Sequence, residues 1–291
     1  MSRMHYLCIK YKDISSSNIK KTMKKLSFFA VALAAMAFAA CGGNKSAQTE
    51  ENSDSLVVFE QQQIEAAIKM NFDSLAAEVA RLKQLPVVQK NGMIVLTDEE
   101  KQVRPHYLLD LSVAEEAMTL AEEYRVLSAL EVDKEVAALY DLPMEGYDKA
   151  IAKLVADIND PSFKVLDSEY SIYESSQMLY DAMNENGRIN FYWQIVSASL
   201  VEQLYIISQN ADKFLASFDD DAASNVSLRI ILIQDAINRL TEYDPELLPV
   251  AEAIDPLVVI NATTVDEFKK QIVEAGDQIA QARQALIELV Y

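Results

Sequence analysis

The stretch TVDEFKKQIVEAGDQIAQARQALIELV, residues 264–290, sets apolar side chains at Val265, Phe268, Ile272, Ala275, Ile279, Ala282, Leu286 and Leu289. Its steps alternate between three and four without a slip. Such spacing lays one stripe along a helix and is the seam that packed helices present to one another. Thr264 followed by Glu267 forms a capping box at its start. One core helix from Val265 to Leu289 is expected, with small Ala275 and Ala282 letting neighbouring helices approach closely.

The preceding chain repeats the pattern. Asp219 to Asp221 stand before a helix carrying Val226, Ile230, Ile233, Ile237 and Leu240, their charge suited to the positive end of the helix dipole. Over Ile189 to Gln209, Trp193, Val196, Leu200, Leu204 and Ile207 make a stripe that Phe191, Ile195, Val201 and Tyr205 widen around the helix. All-round apolarity of this kind predicts a central, buried helix. A further helix opens around Ser171 and pauses at Asn186-Gly187, while Pro245, Pro249 and Pro256 interrupt a short helical segment. Nearer the amino end, Ile64, Ile68, Phe72, Leu75, Val79 and Leu82 predict a helix from about Leu56 to Leu85, which Pro86 ends.

Ser112 with Glu115 reads as a second capping box, opening a helix through about Leu130. Asp133 is expected to cap a shorter helix to Tyr140, and Pro143 to separate that from a helix over Tyr147 to Ile158. Val87-Val88, Asn91-Gly92 and Met93 to Leu96 read as either a small β-hairpin near residues 87–96 or an ordered loop, Asn-Gly being a two-residue turn signal. With no repeat of solenoid length, the fold class is all-α: a single irregular or up-and-down bundle of about six to eight helices over residues 56–291.

Composition agrees. The chain has 291 residues, only 6 glycines and 7 prolines, and 51% hydrophobic residues, which is enough to fill a core and too few turn formers for a strand-rich sandwich. Net charge is −19, and past Ala40 it is −25, with 19 basic against 44 acidic residues. A body this acidic repels nucleic acid and anionic headgroups, so nucleic acid is not an expected partner.

The amino end has a different character. Lys24 and Lys25 precede thirteen uninterrupted apolar residues, Phe28 to Ala40, which stop at Cys41. At about 1.5 Å per residue the run is too short for a hydrocarbon core of roughly 30 Å, so it reads as a signal peptide over residues 23–40. Residues 1–22 read as an upstream extension before Met23, and residues 41–55, small, polar and acidic, as a flexible tether. Phe38-Ala39-Ala40-Cys41 followed by Gly42-Gly43 resembles the lipobox of bacterial lipoproteins, with Phe38 where that family usually has an aliphatic residue. The resemblance implies a lipid on Cys41, membrane attachment through that lipid, and a cell-envelope location. Gly42 in place of Asp after the cysteine implies outer-membrane sorting by the same likeness; periplasmic and outward-facing placements both stay open. Asn190-Phe191-Tyr192-Trp193 through Leu200-Val201-Glu202-Gln203-Leu204-Tyr205 resembles a helix of uncharacterised all-helical lipoproteins of Bacteroidota, a likeness that brings no activity with it. Asp54-Ser55-Leu56 and Asp73-Ser74-Leu75 are similar to the O-glycosylation tripeptide of that phylum.

Chemistry-bearing motifs are few. Beyond Cys41 the chain holds one histidine, His106, so a two-imidazole metal site cannot be built, and no Gly-x-Ser-x-Gly elbow is present. No catalytic residue, metal ligand or cofactor site is therefore expected. The run Asp219 to Asp221 lacks the alternating ligands of a calcium loop and reads as a helix cap. Tyr170, Tyr173 and Tyr180 share a helical face that is a candidate groove for a peptide or sugar. The functional expectation is a lipid-anchored envelope protein, not an enzyme, that binds or scaffolds an unidentified envelope protein or ligand. Two alternatives stand beside it: a carboxylate-dependent hydrolase with a tyrosine-lined cleft, and a binder of a peptide or small ligand within the bundle.

Overall fold

The computed structural model describes residues 72–82, 94, 96–165 and 176–288. Among these the fold is all-α, with eleven α-helices and no strand, more helices than the seam spacing predicts. In chain order they are α1 (72–81), α2 (Val113–Glu116), α3 (Leu120–Leu139), α4 (Glu145–Ile158), α5 (Ser176–Glu185) and α6 (Ile189–Gln209). The chain continues through α7 (Ala211–Phe214), α8 (Asp220–Leu240), α9 (Leu248–Ile254), α10 (Val265–Glu274) and α11 (Gly276–Leu286). The expected hairpin falls outside the described residues except for Ile94 and Leu96, neither of which is in a strand.

Helix α6 is the axis, with the bounds its sequence predicts. Every residue from Tyr192 to Leu204 is buried, because α3, α5, α8, α9, α10 and α11 all pack against it. Its aromatic end interlocks with its neighbours: the Trp193 ring meets Phe72 of α1 edge-on at 6.2 Å, and Tyr192 meets Tyr180 of α5 at 5.0 Å. Polar ties fix α1 against the bundle, among them Asn184 Nδ2 donating to Asp73 at 3.3 Å. Tyr180 donates to Asp73 at 2.8 Å, and Arg229 of α8 donates to the Val79 carbonyl at 3.0 Å, near the end of α1 where carbonyls lack intrahelical partners. Burial pulls the Arg229 guanidinium down to about 10.

Three local expectations need correction. Ser112 does not cap a helix: its backbone is already helical, at φ −62° and ψ −21°, and its side chain makes no capping bond. The chain turns extended at Ala117 and starts again at Thr119, which receives the Glu122 N–H at 3.2 Å while Glu122 accepts the Thr119 N–H at 2.9 Å. This reciprocal box opens α3. Thr119→Ala is expected to lower stability by about 1 kcal/mol, read as a shift in urea midpoint with unchanged slope. Asp133 caps nothing, since α3 runs through it to Leu139. Finally, the last seam is two helices rather than one. Ala275 leaves the helix at φ −87° and ψ 7°, and Gly276, the poorest helix former apart from proline, begins α11. The stripe survives the break, with Phe268, Ile272, Ala275, Ile279, Ala282 and Leu286 all buried.

Other caps stand where the sequence places them. Asp219 accepts the Ala222 N–H at 2.7 Å, and Thr264 accepts the Glu267 N–H at 3.3 Å. Asp220 also accepts the Val265 N–H at 2.9 Å, tying the starts of α8 and α10 together.

Candidate functional site

The densest concentration of unusual chemistry lies where α3, α6 and α11 meet. Glu202, midway along the buried face of α6, and Arg283 of α11 form a two-point ion pair: Arg283 Nε donates to one Glu202 oxygen at 2.7 Å and Nη2 to the other at 2.9 Å. Their side chains are 0% and 5% exposed, so water neither screens the pair nor competes for it. The remaining donors are used as well. Nη2 reaches the Tyr107 carbonyl at 3.0 Å, Nη1 bonds the Glu288 carboxylate, and the guanidinium lies 4.1 Å from the centre of the Tyr205 ring. A bidentate, stacked geometry of this kind suits the planar arginine fork and not a lysine.

Asp133 of α3 completes the cluster. Its Oδ2 accepts the Leu109 N–H at 2.6 Å, and its Oδ1, fully buried, receives no donor. Burial first, then the negative charge of Glu202 and the hydrogen bond between the two side chains, pushes the Asp133 carboxyl well above the usual carboxylate range. Nearby phenols feel the same surroundings. Tyr147 is pushed up to about 12 by burial and by Asp133, and Tyr107, which shares a hydrogen bond of 2.8 Å with Tyr140, is raised by burial and then by that bond.

The segment between Val103 and Ser112 lies over this cluster as a strap. Two backbone groups hold it there, the Leu109 N–H on Asp133 and the Tyr107 carbonyl on Arg283, and its own Arg104 Nη2 braces it internally by donating to the Leu109 carbonyl at 3.1 Å. Asp133 and Glu202 are both 0% exposed beneath it, so the acids have no open route to a substrate. A surface depression about 330 Å³ in volume is lined by Tyr205, Asp277, Ala280, Gln281, Gln284 and Glu288. It touches the cluster only through Tyr205 and Glu288, on the outer side of Arg283. A second depression of about 290 Å³ includes Asn159, Asp160, Phe163 and Lys164. There Asp160 is occupied, accepting the Ser162 N–H at 2.7 Å and the Tyr124 hydroxyl.

Residues singled out by sequence fare differently. Cys41, Tyr170 and Tyr173 lie outside the described residues. Tyr180 is 1% exposed with its hydroxyl on Asp73, so it belongs to the core and lines no open groove. His106 is exposed on the strap, edge-on to the Tyr107 ring at 5.7 Å. Among the described residues no group of His, Cys, Asp or Glu side chains is arranged to hold a metal ion. Asp133, Glu202 and Arg283 carry no motif, and the one sequence signal for them is a charge set inside an apolar surround, as Glu202 is between Val201 and Leu204.

No known protein family, curated protein or solved structure matches the chain. The class is defined by the fold alone: an all-α bundle wrapped around one buried helix, with an ionic cluster sealed in its core.

Proposed function

We propose that the chain is a lipid-anchored cell-envelope protein whose helical body binds or scaffolds a partner rather than catalysing a reaction. The observation that carries the anchor is the lipobox-like Phe38-Ala39-Ala40-Cys41 after a basic and then apolar segment, Cys41 being the acceptor and residues 41–55 the tether. No helix among the described residues is long and apolar enough to cross a membrane, which is compatible with attachment through lipid. The non-enzymatic part of the reading is supported by where the paired acids sit. A carboxylate-dependent hydrolase needs both acids at a substrate-accessible face, and Asp133 and Glu202 are instead enclosed between helices. Outer-membrane placement is part of the same proposal and is supported by Gly42, in place of Asp, after the cysteine, through the likeness to bacterial lipoproteins.

The test is Cys41→Ser. The variant is expected to leave the membrane fraction and to lose incorporation of labelled fatty acid, whereas the parent keeps both. Equal membrane retention of the two, with label in neither, rejects the anchor. Crosslinking in cells with identification of the products then tests the partner-binding role.

A further inference from the structure

Counted as ordinary ions, the cluster is unbalanced: Asp133, Glu202 and Glu288 face one guanidinium, and two of the three acids are fully enclosed. Enclosed excess charge is relieved by taking up a proton far more readily than by being endured. Arg283 gives both of its inner contacts to Glu202 and none to Asp133, so Asp133 is the acid without a cation. Its Oδ1, with no donor of its own, is the place for the proton.

The element that encloses this proton is the strap, which Asp133 grips through the Leu109 N–H across a sequence separation of 24 residues; that bond by itself favours the ionised carboxyl, and burial together with the charge of Glu202 outweighs it. We propose that the strap over residues 103–112 is a pH-responsive closure, held shut over the core by a proton that Asp133 carries and donates toward Glu202, and loosened as that proton is lost. Every titratable group facing Asp133 enters the balance: Glu202 from α6, Arg283 from α11, Tyr147 from α4, and Arg104 and Tyr107 from the strap, with Glu288 behind Arg283. Glu202 is neutralised by Arg283 in either state, so the Asp133 proton alone changes the net charge under the strap.

The direction follows from linkage. Opening the strap hydrates Asp133 and returns it to its ordinary value, below the raised one it has when closed. The closed state therefore binds the extra proton, and closure is strongest below about pH 4. Between about pH 4 and the raised value of the closed state, closure weakens with rising pH, about tenfold per pH unit, and then levels.

Hydrogen exchange read by mass spectrometry over residues 103–112, on the full chain in detergent, measures this directly. A His106→Gln background removes the exposed imidazole as a source of slope. After correction for intrinsic base catalysis, protection of the strap amides is expected to fall about tenfold per pH unit across that window. In Asp133→Asn the slope is expected to vanish, since the carboxamide keeps an acceptor for Leu109 and a donor for Glu202 without titrating. Infrared difference spectra taken across the same pH window are expected to show a protonated carboxyl band that fades as pH rises and that Asp133→Asn removes. Protection independent of pH in the parent overturns the proposal, whether or not the variant folds. So does an unchanged slope in the variant, or a carboxyl band that survives the substitution.

Discussion

Arg283→Met lowers the unfolding free energy by about 3–5 kcal/mol, the effect of leaving a buried acid without its partner. Glu202→Gln falls in the same range, because a desolvated guanidinium is then stranded with only the partly exposed Glu288, the Tyr107 carbonyl and the Tyr205 ring. The double variant is expected to recover much of the loss, since both charges are gone and Met fills the volume beside an uncharged amide. Urea denaturation of the two single variants and the double variant gives the cycle, with a coupling of roughly 2 kcal/mol or more expected. Additive losses each under about 1 kcal/mol would mean the pair is hydrated, as at a surface, and the enclosed cluster would have to be abandoned.

The second large effect belongs to the final seam. Ile279 is 0% exposed in the first turn of α11, so Ile279→Ala is expected to cost about 2–5 kcal/mol. Its exposed neighbour Gln278 serves as the control, with Gln278→Ala costing less than about 0.5 kcal/mol. Equal midpoints for the two variants would show that α11 is not part of the core.

Elements whose boundaries depend on near neighbours were legible. Helix α6 starts beyond Asn186-Gly187 and stops where its apolar surround runs out, and Asp219 and Thr264 cap as short-range chemistry dictates. Ser112 was misread because two boxes of identical pattern, Ser112 with Glu115 and Thr119 with Glu122, lie seven residues apart. The choice between them is made by the extended backbone at Ala117, which ends α2 and leaves Thr119 to open α3. The break at Gly276 was visible as a single weak helix former inside an otherwise perfect stripe, but the stripe itself gives no penalty for it, since the buried face continues through the junction.

Of the ionic cluster only Glu202, set among apolar residues, left a trace in the sequence, and its partners left none. Arg283 lies 81 residues from Glu202 and 176 from Tyr107, and local pattern carries no information across such distances. Asp133 reads as a cap because aspartate is a favoured residue at the start of a helix. What made it something else is the amide of Leu109 arriving from another part of the chain.

The placement of Arg283 also gives the folding of this bundle a direction in time. A chain released from its amino end produces Asp133 and then Glu202 well before Arg283, the guanidinium that pairs with Glu202, and contacts of this sequence separation form late. Until α11 docks, the central helix has a carboxylate facing its neighbours and cannot settle into a dry core. The final helix thus acts as a keystone, and a bundle lacking it is incomplete in charge as well as in volume.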